Sequence, residues 1–235
     1  MTSPTIPDKQ LTVFARSDDY FFGVLHSSIH ELWARRQGTQ LREAESGFRY
    51  TPTTCFETFP LPWPPGSEPK EGEDGFALHE AIADTAHKLN EQRENWLNPP
   101  AWVAEVAAQV DAEDDFADVA AVSGEEARRL IRQSAIDAAS AKHAKLKKRT
   151  LTNLYNERPT WLRLAHRALD EAVLAAYAHT DQAGGWDTSW AEVFEETGAG
   201  QPLPDGHALS ERRAEVEQLI LAALLRLNHE RAGVS

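Results

Sequence analysis

The chain has 235 residues, of which 41% are hydrophobic and 26% charged; it is long enough to bury a core and too apolar for a wholly disordered chain. Its apolar runs fall short of the roughly 20 residues that cross a bilayer, and MTSPTIPDKQ lacks the basic and apolar regions of a signal peptide, so a bacterial-type cytoplasm without membrane contact is expected. Cys55, the single cysteine, excludes an intramolecular disulfide and a cysteine-built zinc site, and a net charge of −13 excludes DNA binding over the whole surface.

Leu11 to Arg16 reads as a short strand. Phe21, Phe22, Leu25, Ile29, Leu32 and Trp33 then recur at three- and four-residue spacing, the stripe of one amphipathic helix, with Asp18 or Asp19 as its N-cap and Gly38 as its stop. Arg35 and Arg36 at its end and Arg42 and Arg49 beyond it form a local cationic group. Tyr50 to Phe59 is rich in Thr and aromatics, as strands are. Pro60, Pro62, Pro64 and Pro65 forbid a helix or a central strand, so the chain leaves in an extended course.

GSEPKEGEDG, residues 66–75, has the composition of a linker. A helix follows from about Phe76 to Leu97, with Leu78, Ile82, Leu89 and Trp96 inward, stopped by Asn98, Pro99 and Pro100. A short helical turn and the acidic loop AEDDFAD come next. Ser123 and Glu126 have capping-box spacing, so a helix should start at Gly124. Pro159 suits the first position of a helix carrying Trp161, Leu164, Leu169, Val173 and Tyr177 on one face. Residues 184–206 read as an irregular connector, and Val216, Ile220, Leu224 and Leu227 mark a last helix. The expected fold is mainly α, a small α/β N-terminal piece followed by an all-helical C-terminal domain, divided as 1–65, a 66–75 linker and 76–235.

Charge is unevenly spread. Residues 1–70 carry 7 basic and 8 acidic groups, 71–127 carry 2 and 15, 128–149 carry 8 and 1, and 150–235 carry 7 and 13. An acidic block beside a basic one predicts internal pairing, or a basic face that a partner covers.

Residues 18–64, DDYFFGVLHSSIHELWARRQGTQLREAESGFRYTPTTCFETFPLPWP, resemble the end of the target-recognition region in MmeI-like, type IIL restriction-modification proteins. Thr150 to Tyr177, TLTNLYNERPTWLRLAHRALDEAVLAAY, resembles the closing helical segment of the same proteins. For a complete protein the resemblance implies adenine-specific DNA methylation with S-adenosylmethionine as donor. Such catalysis needs a glycine loop after a strand and an Asn-Pro-Pro-aromatic turn that grips a flipped base. Asn98, Pro99, Pro100, Ala101 and Trp102 imitate the turn, but Ala takes the aromatic position and the preceding KLNEQRENWL is polar and helical. Gly198, Ala199 and Gly200 lack a third glycine and a βαβ setting. His26 and His30 share a helix face without a third metal ligand, which favours packing or hydrogen bonding. Cys55 reads as buried and inert. The tail tryptophans Trp96, Trp102, Trp161, Trp186 and Trp190 read as core and interface anchors.

The expectation is therefore a DNA-recognition and scaffold portion of an adenine methyltransferase, inactive alone. It carries no catalytic, cofactor or metal residues, and Arg35, Arg36, Arg42 and Arg49 are the candidate DNA contacts. Glu31, Glu43, Glu45 and Glu57 are their competing partners within the chain. S-adenosylmethionine belongs to the complete protein, and the expected partners are duplex DNA and, for a split gene, an upstream methyltransferase polypeptide; the other origin is a truncated reading frame. The alternative is an acidic helical protein-protein adaptor that binds no DNA.

Overall fold

The structure, a computed structural model, describes residues 13–40, 48–107, 128–133, 144–197 and 209–233. It is mainly α, as expected, and among the described residues the β structure is one two-stranded antiparallel ladder near the N-terminus. Contacts divide the chain into two compact units, Met1–His87 with Leu164–Ser235, and Lys88–Arg163.

In the first unit the stripe after Asp18 forms two helices, α1 (Asp19–His26) and α2 (Ser28–Gln37). Asp18 caps α1, its Oδ1 accepting from the Phe21 amide at 2.9 Å, and Gly38 ends α2 through its amide on Ala34 O at 2.7 Å. The single helix expected from the periodicity is broken at Ser27. The Ser27 hydroxyl donates to Val24 O at 2.7 Å and its oxygen accepts from the His30 amide at 3.3 Å, so one side chain closes α1 and opens α2. Across the core, Asp170 accepts from the Ser28 amide at 2.7 Å and satisfies another free donor of the α2 N-terminus.

Strands β1 (Thr39–Gln40) and β2 (Phe48–Arg49) pair with Thr39 opposite Arg49 and Gln40 opposite Phe48. The strand expected over Tyr50–Phe59 is instead a π-helical turn, Pro52–Phe56. Pro52 presets φ for a first helical position, and local bonds then compete with extended pairing. The Glu57 amide reaches Pro52 O at 2.9 Å and the Thr58 hydroxyl reaches Thr54 O at 2.5 Å. The N-terminal strand expected at Leu11–Arg16 is likewise absent over residues 13–16.

The proline-rich exit is a buried strap with Phe59, Leu61 and Trp63 in the core. Its backbone finds no sheet partner, and Pro60 and Pro62 have no amide to give. Helix side chains satisfy it: Asn228 donates to Thr58 O at 2.6 Å, Tyr177 to Pro60 O at 2.9 Å and Arg231 to Leu61 O at 2.5 Å. The Tyr20 hydroxyl lies 3.2 Å from Trp63 O and 3.1 Å from the Trp63 amide, donating to one and accepting from the other. These side chains come from α1, from α8 (Thr160–Thr180) and from α10 (Ser210–Ala232).

Around the strap, Val24, Ile29, Ile82, Leu169, Val173, Ile220 and Leu224 are all fully buried. Close approach needs Gly23, where an added Cβ would lie 2.8 Å from Ala86 Cβ and 2.9 Å from Ile82 Cγ2. The connector expected over 184–206 contains a 3-10 turn, Thr188–Trp190, and α9 (Ala191–Thr197), before residues outside those described. Asp187 starts the turn by accepting from the Ser189 amide at 2.8 Å, and Trp190, Val193 and Phe194 bury one side of it.

Helix α3 (Phe76–Leu97) crosses from the first unit into the second. It stops where Asn98, Pro99 and Pro100 were expected to stop it, and Pro100 opens α4 (Pro100–Ala107). Asn98 is buried and donates to Glu94 Oε2 at 3.0 Å, so the Asn-Pro-Pro turn is a helix boundary. The second unit continues with the helical residues 128–133 (α5), α6 (Ala144–Lys147) and α7 (Leu151–Glu157), with Val103, Leu146, Leu154 and Leu162 buried. The acidic loop, the Ser123–Glu126 capping box and Gly198–Gly200 lie outside the described residues.

Candidate functional site

The site is built from the end of α2 and the hairpin after it. Arg35 and Arg36 occupy the last turn of α2, where cations oppose the negative end of the helix dipole. Arg35 is committed inside the protein. Its Nε and Nη2 lie 2.8 and 2.7 Å from Glu31 Oε1, and its guanidinium carbon sits 5.9 Å from the Phe48 ring centre. Glu31, one of the four expected competitors, therefore takes one of the four arginines.

Arg36 and Arg49 are exposed and make no ion pair among the described residues. The strand register sets Arg49 opposite Thr39, just beyond the helix turn that carries Arg36. Arg42, Glu43 and Glu45 fall outside the described residues, and Glu57 is exposed without an ion pair among them.

Residues on either side of Arg49 anchor it. The Phe48 ring lies against Gly38, so closely that an added Cβ there would come within 2.1 Å of it. Tyr50 bonds inward to His30, its hydroxyl 3.2 Å from Nε2. Because Nδ1 of His30 must donate to Leu25 O at 3.0 Å, the ring is the Nδ1–H tautomer and Tyr50 is the donor to Nε2. Phe59 closes the ring edge-on at 4.7 Å. Burial is the main reason that the imidazole is pushed down to about 4 and that Tyr50 is pushed up to about 12. His30 is thus a neutral joint between α2, the hairpin and the strap. Successive strand residues face opposite ways, so anchoring Phe48 and Tyr50 turns Arg49 outward.

His26 bonds Phe22 O through Nδ1 at 2.9 Å and stacks on the Phe22 ring at 3.9 Å. Among the described residues no group of three or more His, Cys, Asp or Glu side chains could hold a metal ion. Cys55 is fully buried, with Sγ 3.5 Å from Ala34 O. Beside Arg35 and Arg36 an open groove of about 600 Å³ runs between α2 and α10, with Leu32, Trp33, Leu221 and Leu225 in its lining. No helix among the described residues is long and apolar enough to cross a membrane.

Tryptophans of the tail serve as anchors. Trp190 is buried, and Trp186 stacks on Tyr177 at 4.4 Å while its Nε1 donates to Asp181 at 2.7 Å. In the second unit Trp96 and Trp102 sandwich the Arg149 guanidinium at 4.8 and 4.5 Å. Periodicity could not have found that arrangement, because the three residues meet only through the tertiary fold.

Fold and site together define a helical scaffold that holds a short, arginine-bearing helix-and-hairpin edge outward. Residues 1–63 match the family model described as MmeI, target recognition domain. The matched segment ends at Trp63, where the buried strap ends, and it includes all four candidate arginines; Thr150–Tyr177 lies outside it. No curated protein and no solved structure matches the chain.

Proposed function

We propose that this chain contributes DNA target recognition to a restriction-modification methyltransferase, and that Arg36 and Arg49 meet the duplex. The observation that carries this reading is the coincidence of the matched segment with an edge whose two exposed arginines lack acidic partners among the described residues. Guanidinium groups in that position suit phosphate oxygens or the O6 and N7 acceptors of guanine. Arg35 acts from behind, holding Phe48 and with it the hairpin. Arg42 belongs to the same proposal on sequence grounds alone.

Adenine N6 methylation and its donor S-adenosylmethionine follow from the resemblance and belong to the complete system, which we place in the cytoplasm. The Asn98–Trp102 turn and the Gly198–Gly200 segment give no grounds for placing that chemistry in this chain, so a separate methyltransferase region or polypeptide would supply it.

Titration of labelled duplex DNA with the full chain tests the reading. Binding should be present at low salt and weaken steeply as salt rises, because each phosphate contact releases counterions. Absence of binding at low salt, alone and with a methyltransferase partner, would reject it in favour of an acidic protein-protein adaptor.

A further inference from the structure

The second unit carries a separate concentration of positive charge that the arginine edge does not use. Residues 144–149 read AKLKKR. One of these side chains, Leu146, is buried, packed on Trp102 and Ile131. Two arginines fix the backbone around it. Arg149 is clamped between the Trp96 and Trp102 rings and donates to Trp96 O at 2.5 Å. Arg132 reaches back from α5 to donate to Leu146 O at 3.0 Å and to Arg149 O, covering carbonyls at the end of α6. Burial lowers the Arg132 pKa, the direction expected of a cation held away from water.

With Leu146 inward and the backbone pinned, Lys145, Lys147 and Lys148 are left exposed. Lys145 Nζ lies 5.9 Å from the Trp102 ring centre, and Lys147 and Lys148 have no acidic partner among the described residues. Glu94, buried at the end of α3, is already occupied by Arg129 at 2.5 Å. Four cations, Lys145, Lys147, Lys148 and Arg149, therefore share one short segment, and Arg132 of α5 lies against it. Like charges within a Debye length repel, and a polyanion laid across them relieves that repulsion.

We propose that Lys145, Lys147 and Lys148 form a second contact to DNA, made to the sugar-phosphate backbone without regard to sequence. The proposal rests on the DNA reading above, and charge complementarity selects the occupant. Lysines are compact point charges on flexible stems, suited to phosphate oxygens and poorly suited to the fork geometry that reads base edges. Arg132 and Arg149 are spent on carbonyls and indole rings.

The test uses the full chain and a duplex of arbitrary sequence, with affinity measured across salt concentrations. The Lys145→Gln/Lys147→Gln/Lys148→Gln variant should bind more weakly, and the slope of log affinity against log salt should fall by roughly 2 to 3, at about 0.9 per phosphate contact. The matching triple Lys→Arg variant should keep the slope. If the glutamine variant melts early, Lys147→Gln/Lys148→Gln should lower the slope by about 2. An unchanged slope and affinity would overturn this contact while leaving the arginine edge intact. Loss of polyglutamate binding with duplex binding retained would assign the face to an acidic protein and also overturn it. Failure of the unmodified chain to bind any duplex would reject the DNA reading itself, and this contact with it.

Discussion

Asp170 and His30 lie in the same helical unit and respond to pH in opposite directions. Asp170 is fully buried on α8, and desolvation outweighs its hydrogen bonds to Ser28, raising its pKa to about 7. Its folded value lies above its unfolded one, so its contribution to stability is complete below about pH 4 and is lost as pH rises through about 7. His30, depressed to about 4 mainly by desolvation, contributes stability that is complete above about pH 6.5 and is lost as pH falls through about 4. Between those limits the two slopes oppose each other, each reaching about 1.4 kcal/mol per pH unit at most. Denaturation of the unmodified protein should therefore show little pH dependence from about pH 4.5 to 6.5. Asp170→Asn keeps an oxygen for the Ser28 amide but removes one slope, and it should lose stability on acidification across that window. A flat profile in the variant would refute the opposition.

At the scale of elements, the strap explains why a proline-rich exit can be buried. Each proline removes a donor, and the carbonyls left behind take side-chain donors from three helices that are remote in sequence. Tyr177→Phe removes the donor to Pro60 O and leaves a buried acceptor unpaired. Chemical denaturation should register a loss of about 1–3 kcal/mol, and a loss below roughly 0.5 kcal/mol, the scale of neutral surface changes, would mean that the strap does not depend on this bond.

Much of this architecture could be read from local chemistry. The α1 cap at Asp18, the stops at Gly38 and at Asn98-Pro99, and the α10 stripe through Val216, Ile220, Leu224 and Leu227 all follow from rules spanning one or two helical turns. The break at Ser27 hides inside an uninterrupted apolar period and is signalled only by the Ser-Ser pair. The Pro52–Phe56 turn has strand composition, but its backbone bonds locally. In the site, the Glu31–Arg35 spacing was legible as an i,i+4 pair. The tie from Tyr50 to His30, which fixes how Arg49 is presented, depends on two residues meeting across the fold.

For the molecule as a whole, a net charge of −13 and two exposed basic features are compatible because the charges are segregated along the chain. Counterion release at the local phosphate contacts should confine duplex binding to low and moderate salt, and long-range repulsion from the acidic majority, which salt screens, should keep the affinity modest. The central claim is that the α2 end and hairpin are a DNA-contacting edge. Its most direct test is the salt dependence of duplex affinity for the Arg36→Gln/Arg49→Gln variant of the full chain. Both side chains are exposed, so stability should change by no more than the roughly 0.3–1 kcal/mol of the helix-dipole contact of Arg36, while the slope of log affinity against log salt should fall by about 2 if both meet phosphates. If one arginine reads a base instead, the fall should be near 1, accompanied by lost discrimination among target sequences. An unchanged affinity, slope and sequence preference would contradict the account.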